Sequence, residues 1–269
     1  MGALLAAPDP LDPFAALAAA GSVDAALPYL YGAFLVLLRG SALLMVAPGP
    51  SARAVPVRVR MGLAVLLSAA AWLGAGSPHF EVPGTLGGLG LATMRETLYG
   101  LAGGLGARWV LEAAAAAGHI AGLAMGLGYG AQLSPLTGAD SPAVGQLLSM
   151  LSLGGAVALG LHRELVLWFC RSLQTAPLAT SEGIRALFVQ ALGQGLSGLG
   201  LGARVSFPIL VGVTSGHLAL GLAGKFAPQI SLQSIGFAVA LLAGGAALYL
   251  FGSNAAELVA RAAVAALRS

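Results

Sequence analysis

Few side chains in this 269-residue sequence have the types and spacing that chemistry needs. His79, His119, His162 and His217 lie in separate segments, with no HExxH pair, so they outline no metal site. Ser172 follows Arg171, and no GxSxG elbow surrounds any serine. The glycine-rich stretch 84–90 lacks the Lys-Ser/Thr ending of a phosphate loop. Cys170 is the single cysteine, which excludes an internal disulfide framework or a cysteine-rich metal centre. A net charge of +3, with no aromatic-lined basic face, offers nucleic acid no footprint. No catalytic residue, metal or cofactor is expected.

What remains is charge placed inside apolar stretches. Glu96, Gly100, Gly104 and Arg108 recur at intervals of four and so share one helix face. A charge in an apolar span needs a partner, so the face holding Glu96 and Arg108 is expected to form an ion pair between helices. Arg39 sits near the middle of the first apolar helix. Arg53 to Arg60 is the one cluster of like charge, and Pro56, Arg58 and Arg60 read as a basic loop kept in the cytoplasm. Lys225 would cost about 3 kcal/mol at the centre of a lipid-facing helix. Pro228 lacks an N–H and biases Ala227 away from helical angles. Lys225, Pro228 and Gln229 therefore mark the tip of a helical hairpin and a partner contact.

Gly118, Gly122, Gly126 and Gly130 also recur every four residues, with Met125 beside them. On a helix they leave a stripe without side chains, against which a neighbouring backbone can pack closely.

These residues must be positioned by membrane helices. The chain is 58% hydrophobic and 9% charged, with mean hydropathy +0.88. A soluble domain is nearer 45–50% apolar and about 25% charged, so a water-covered fold is excluded. Forty glycines agree with close helix packing in apolar surroundings. Spans of about 20 residues are expected near 27–47, 61–76, 84–107, 113–133 and 143–176, then 184–222 and 230–252. That makes six crossings or seven, with 143–176 broken at His162-Arg163-Glu164. The fold class is all-α: a polytopic helical membrane protein with broken helices and a C-terminal hairpin. Asp9, Asp12 and Asp24 precede the first span, which is expected to act as its own uncleaved signal with the N-terminus outside.

Residues 221–231, Gly-Leu-Ala-Gly-Lys-Phe-Ala-Pro-Gln-Ile-Ser, followed by Gly236-Phe237, resemble the C-terminal hairpin of the FliR family of type III secretion export gates. Pro56, Arg58 and Arg60 match that family's Pro followed by alternating basic residues. Glu96 with Gly100 matches an acid followed by glycine, and Ser172 and Pro177 match as well. The family usually has Arg in place of Lys225 and Asn in place of His217. Ala117–Leu127 is similar to the region near the plug that closes the family's channel, so the glycine stripe either packs helices or also seats the plug.

The resemblance implies one export-gate domain, with 27–180 FliP-like and 184–265 a FliQ-like hairpin. It implies assembly with FliP-like and FliQ-like subunits and contact with FlhB-like and FlhA-like proteins. Unfolded flagellar proteins would be the cargo, and the bacterial inner membrane at the flagellar basal body the location. Two alternatives stand beside it. One is the virulence injectisome counterpart. The other is a small-molecule permease whose helices, broken at Pro208 and Pro228, would bind an anion near Arg204 and Lys225.

Overall fold

The computed structural model describes residues 23–49, 55–76, 80–127, 143–175, 184–226 and 232–268. Among these the regular elements are helices: α1 Val23–Val46, α2 Val57–Gly74, α3 Leu86–Ala124, α4 Ala143–Ala158, α5 Leu161–Thr175, α6 Ile184–Phe226 and α7 Leu232–Ala266. Helix is what such apolar runs must form, because lipid offers no partner for an exposed backbone N–H or C=O. The all-α polytopic reading holds.

Fewer helices among the described residues are long and apolar enough to span a membrane than the sequence suggested. Among the described residues, Ala26–Val46, Val57–Gly74, Ile184–Lys225 and Ile235–Ala266 are long and apolar enough to cross a membrane. The broken pair α4–α5 would add a fifth. Stretch 84–107 and the described start of 113–133, expected as two spans, share the single 39-residue α3, Leu86–Ala124. Arg108 and Glu112 lower its hydropathy, yet both are good helix formers and do not interrupt it.

Two glycines set where helices stop. Gly126 has φ 81°; its N–H meets Leu123 O at 3.0 Å while Leu127 N–H meets Gly122 O at 2.9 Å. This is a Schellman ending with Gly126 in the left-handed position. Gly160, φ 90°, separates α4 from α5 just before His162. Pro208, by contrast, lies inside the continuous α6. The break that a permease reading needs at Pro208 is therefore absent.

The chain forms two compact units. The first comprises the residues up to Leu105 with Arg163–Ala191, the second Gly106–His162 with Leu192–Ser269. In the first, α1 packs on α2, and Leu35, Val36, Leu43 and Phe169 are fully buried. Gly103 leaves room for the Trp168 ring. In the second, α4 packs on α7, and Leu148, Met125, Val259 and Ala263 form the core. Gly195, Gly198 and Gly202 seat α6 against Trp109 and Ala113 of α3. Gly212 and Gly216 seat it against Ala247 and Ala243 of α7. Small residues thus bring backbones together where burial of apolar area gains little.

Candidate functional site

In the first unit, α3 runs alongside α1 in the same direction. A Cβ on Gly100 would lie 2.9 Å from Leu43 N, and one on Gly104 would lie 2.9 Å from Leu43 O. This closeness carries Glu96, one turn earlier on that face, to Arg39. The Arg39 Nε–H donates to Glu96 Oε2 at 2.7 Å, and both side chains are 0% exposed. Arg39 Nη1 also donates to Ser172 O at 2.7 Å and reaches Ser172 Oγ at 3.4 Å. Its guanidinium lies 4.7 Å from the centre of the Tyr99 ring.

Each contact has a physical reason. In a helix ending at Thr175, the Ser172 carbonyl is among the last four, which lack an intrahelical donor. The Ser172 hydroxyl is held by donating to Phe169 O at 2.7 Å. Arg39 therefore satisfies a helix end and a carboxylate at once, and its planar fork suits both tasks. The arrangement ties α1, α3 and α5 together. It buries two opposite charges against each other and exposes neither, and so acts as a clamp between helices.

Glu96 thus has its partner on another helix, and that partner is Arg39. Arg108, expected on the same ion-pair face, lies 3.6 Å from Glu112 on its own helix, 43% exposed. An exposed pair of this kind contributes little. Ser172 and Arg39 were missed as a pair because 133 residues separate them. The available signal was that Arg39 and Glu96 are opposite charges in two apolar stretches, each needing the other.

In the second unit, the residues of the glycine stripe do different jobs. A Cβ on Gly118 would lie 2.7 Å from both Gly145 N and Val144 O, so α3 and α4 cross backbone to backbone there. Gly122 is buried. Met125 is 1% exposed, its side chain filling the space left by Gly244 of α7 beside Val213 of α6. Gly126 is not part of a helical stripe but ends the helix, with the Phe237 ring over it. Gly130 falls outside the described residues. Truncating a buried Met typically costs about 2–5 kcal/mol. Met125→Ala should therefore lower the thermal unfolding midpoint of the purified protein. An unchanged midpoint would contradict the packing.

A family model for bacterial export proteins, family 1, matches residues 30–265, which includes both assemblies of side chains. The chain belongs to that family. It is 30% identical over 218 residues to the flagellar biosynthetic protein FliR of Caulobacter vibrioides, covering 80% of this chain and 86% of that one. To FliR of Escherichia coli K12 it is 32% identical over 213 residues, covering 78% and 80%. To FliR of Pectobacterium carotovorum it is 28% identical over 214 residues. This export-family protein is a FliR-type, multi-pass protein of the bacterial inner membrane.

The remaining expected positions are spread over the export-family protein. Pro56, with φ −56° and ψ 141°, is the N-cap residue of α2. Arg58 and Arg60 stand in the first turn of that helix and not in a loop, which corrects the sequence reading. Two cations there oppose the positive helix end. Lys225 is exposed in the last turn of α6, where a cation complements the helix dipole. Pro228 and Gln229 lie outside the described residues.

Proposed function

We propose that this chain is the FliR-type subunit of a flagellar type III export gate. In this reading it assembles with FliP-like and FliQ-like subunits around the channel that passes unfolded flagellar proteins. It touches FlhB-like and FlhA-like proteins at the cytoplasmic side. The observation that carries the reading is the family match across residues 30–265. Residues 27–180 would act as the FliP-like part and 184–265 as the FliQ-like hairpin.

The helix lengths support a role in an assembly. At 1.5 Å per residue, α6 with 43 residues is about 64 Å long and α7 with 35 about 52 Å. A hydrocarbon core is only about 30 Å thick. Both also expose large apolar side chains along their length, among them Leu196, Leu199, Phe207, Leu218, Leu242 and Tyr249. Surface of this kind beyond the bilayer needs protein neighbours.

The reading gives Lys225 a contact at the cytoplasmic mouth, with an acidic or carbonyl-rich partner surface suited to a flexible ammonium. A strain lacking the chain should stop secreting flagellar proteins, and the chain should restore secretion. Lys225→Glu should reach the parental membrane level yet secrete poorly. Parental secretion by that variant would remove Lys225 from the account. Normal flagellar secretion without the chain, alongside loss of another secreted set, would favour the injectisome reading.

A further inference from the structure

The second compact unit places most of its described charges at one end. Gln194 Nε2 donates to Ala266 O at 2.8 Å, and Gly212 and Gly216 lie against Ala247 and Ala243. This antiparallel register puts Arg204 within a turn of Glu257. Gly198 and Gly202 set the same level beside Trp109 and Ala113 of α3. Arg108, Glu112, Glu257, Arg261 and Arg268 all fall at that level or beyond it toward the charged end. On the other side, residues 205–224 and 232–256 contain no Asp, Glu, Lys or Arg. The next cation is Lys225, 21 residues past Arg204. That is about 31 Å along the helix, close to the hydrocarbon thickness of about 30 Å. With Lys225 at one face of the hydrocarbon, Arg204 would lie at the headgroup depth of the other.

At that depth Arg204 opens onto a groove of about 520 Å³ between α3, α6 and α7. Its walls are apolar, with Val110, Leu201 and Ala262 among them, apart from Gln194 and Ser197. Nearby, Arg108 pairs with Glu112 and Arg261 with Glu257, each within its own helix. Arg204 has no hydrogen-bond or ion-pair partner among the described residues. Phe207 and Val211, on the same helix face, are exposed and apolar.

The geometry points to a binding site for the phosphate of an anionic phospholipid, with Arg204 as its cation and the groove wall holding an acyl chain. A guanidinium pairs well with phosphate oxygens, and a basic pocket between helices at headgroup depth suits such a lipid. A free phosphate dianion would find one cation and apolar walls, leaving most of its charge unmet. A phosphodiester carries a single charge and brings the chain that the walls can cover. The inference does not depend on the export-gate reading, since it concerns the isolated chain.

The test uses the purified full-length chain in detergent, with phosphatidylglycerol, phosphatidylcholine or inorganic phosphate added separately. Thermal unfolding and native mass spectrometry report stabilisation and retained lipid. Phosphatidylglycerol should raise the unfolding midpoint and stay bound, and the other two should do neither. Arg204→Gln should weaken phosphatidylglycerol binding about tenfold, the factor carried by 1.4 kcal/mol. Arg204→Lys should keep part of it, and Arg185→Gln all of it. If Arg204→Gln does not fold, Leu201→Trp fills the groove and should give the same loss. Undiminished binding in the Arg204 or groove variant would overturn the proposal. Equal binding of phosphatidylcholine, or of inorganic phosphate, would overturn it as well.

Discussion

Arg39→Leu should leave the chain unable to accumulate in the membrane, and flagellar secretion should be lost with it. The substitution removes the ion-pair partner of the fully buried Glu96 carboxylate and the Arg39 hydrogen bond to the Ser172 carbonyl. Breaking a buried pair from one side typically costs about 3–5 kcal/mol. Whole domains have only about 5–15 kcal/mol in reserve. Glu96→Gln should be milder, because an amide oxygen can still accept from the Arg39 Nε–H. The double variant Arg39→Leu/Glu96→Leu should recover much of the lost abundance, since replacing both charges by apolar groups is often neutral. Immunoblots of membrane fractions decide this. Parental abundance of Arg39→Leu would mean that the clamp holds nothing together.

Gly118→Ala is the second large expected effect, although alanine is ordinarily favoured over glycine in a helix. Its Cβ would lie 2.7 Å from Gly145 N and from Val144 O, both backbone atoms that cannot rotate away. The α3–α4 crossing must then open. Overpacking of this kind costs about 1–3 kcal/mol or more. A shallower site makes the internal control. A Cβ on Gly155 would meet only the Ala260 Cβ at 3.3 Å, so Gly155→Ala should be close to neutral. The thermal unfolding midpoints of the two purified variants make the comparison. Equal midpoints would show that the crossing is loose.

Local features of the sequence read through to the fold, and long-range pairings did not. The apolar runs placed α1, α2, α6 and α7, because a backbone in lipid has helix as its main option. The His162-Arg163-Glu164 triplet marked the break that Gly160 makes, and the Lys225–Gln229 cluster marked the end of α6. The continuity of α3 was hidden, since Arg108 and Glu112 look like a boundary yet sit comfortably on an exposed helix face. The four-residue spacing of Glu96, Gly100 and Gly104 indicated one helix face with an ion pair to another helix. What that face meets is α1, and nothing local records it. Arg39 lies 57 residues from Glu96, and Ser172 lies 133 from Arg39, so only the folded chain assembles the clamp. The glycine stripe misled at Gly126, because a helical period and a helix-ending glycine look alike in sequence.

Isolation of the tagged chain from detergent-solubilised membranes of a flagellated strain tests the central claim most directly. The account predicts that FliP-like and FliQ-like proteins come with it as one hetero-oligomer, and that Arg39→Leu removes them together. Recovery of the chain alone, from cells that secrete flagellar proteins normally, would contradict it.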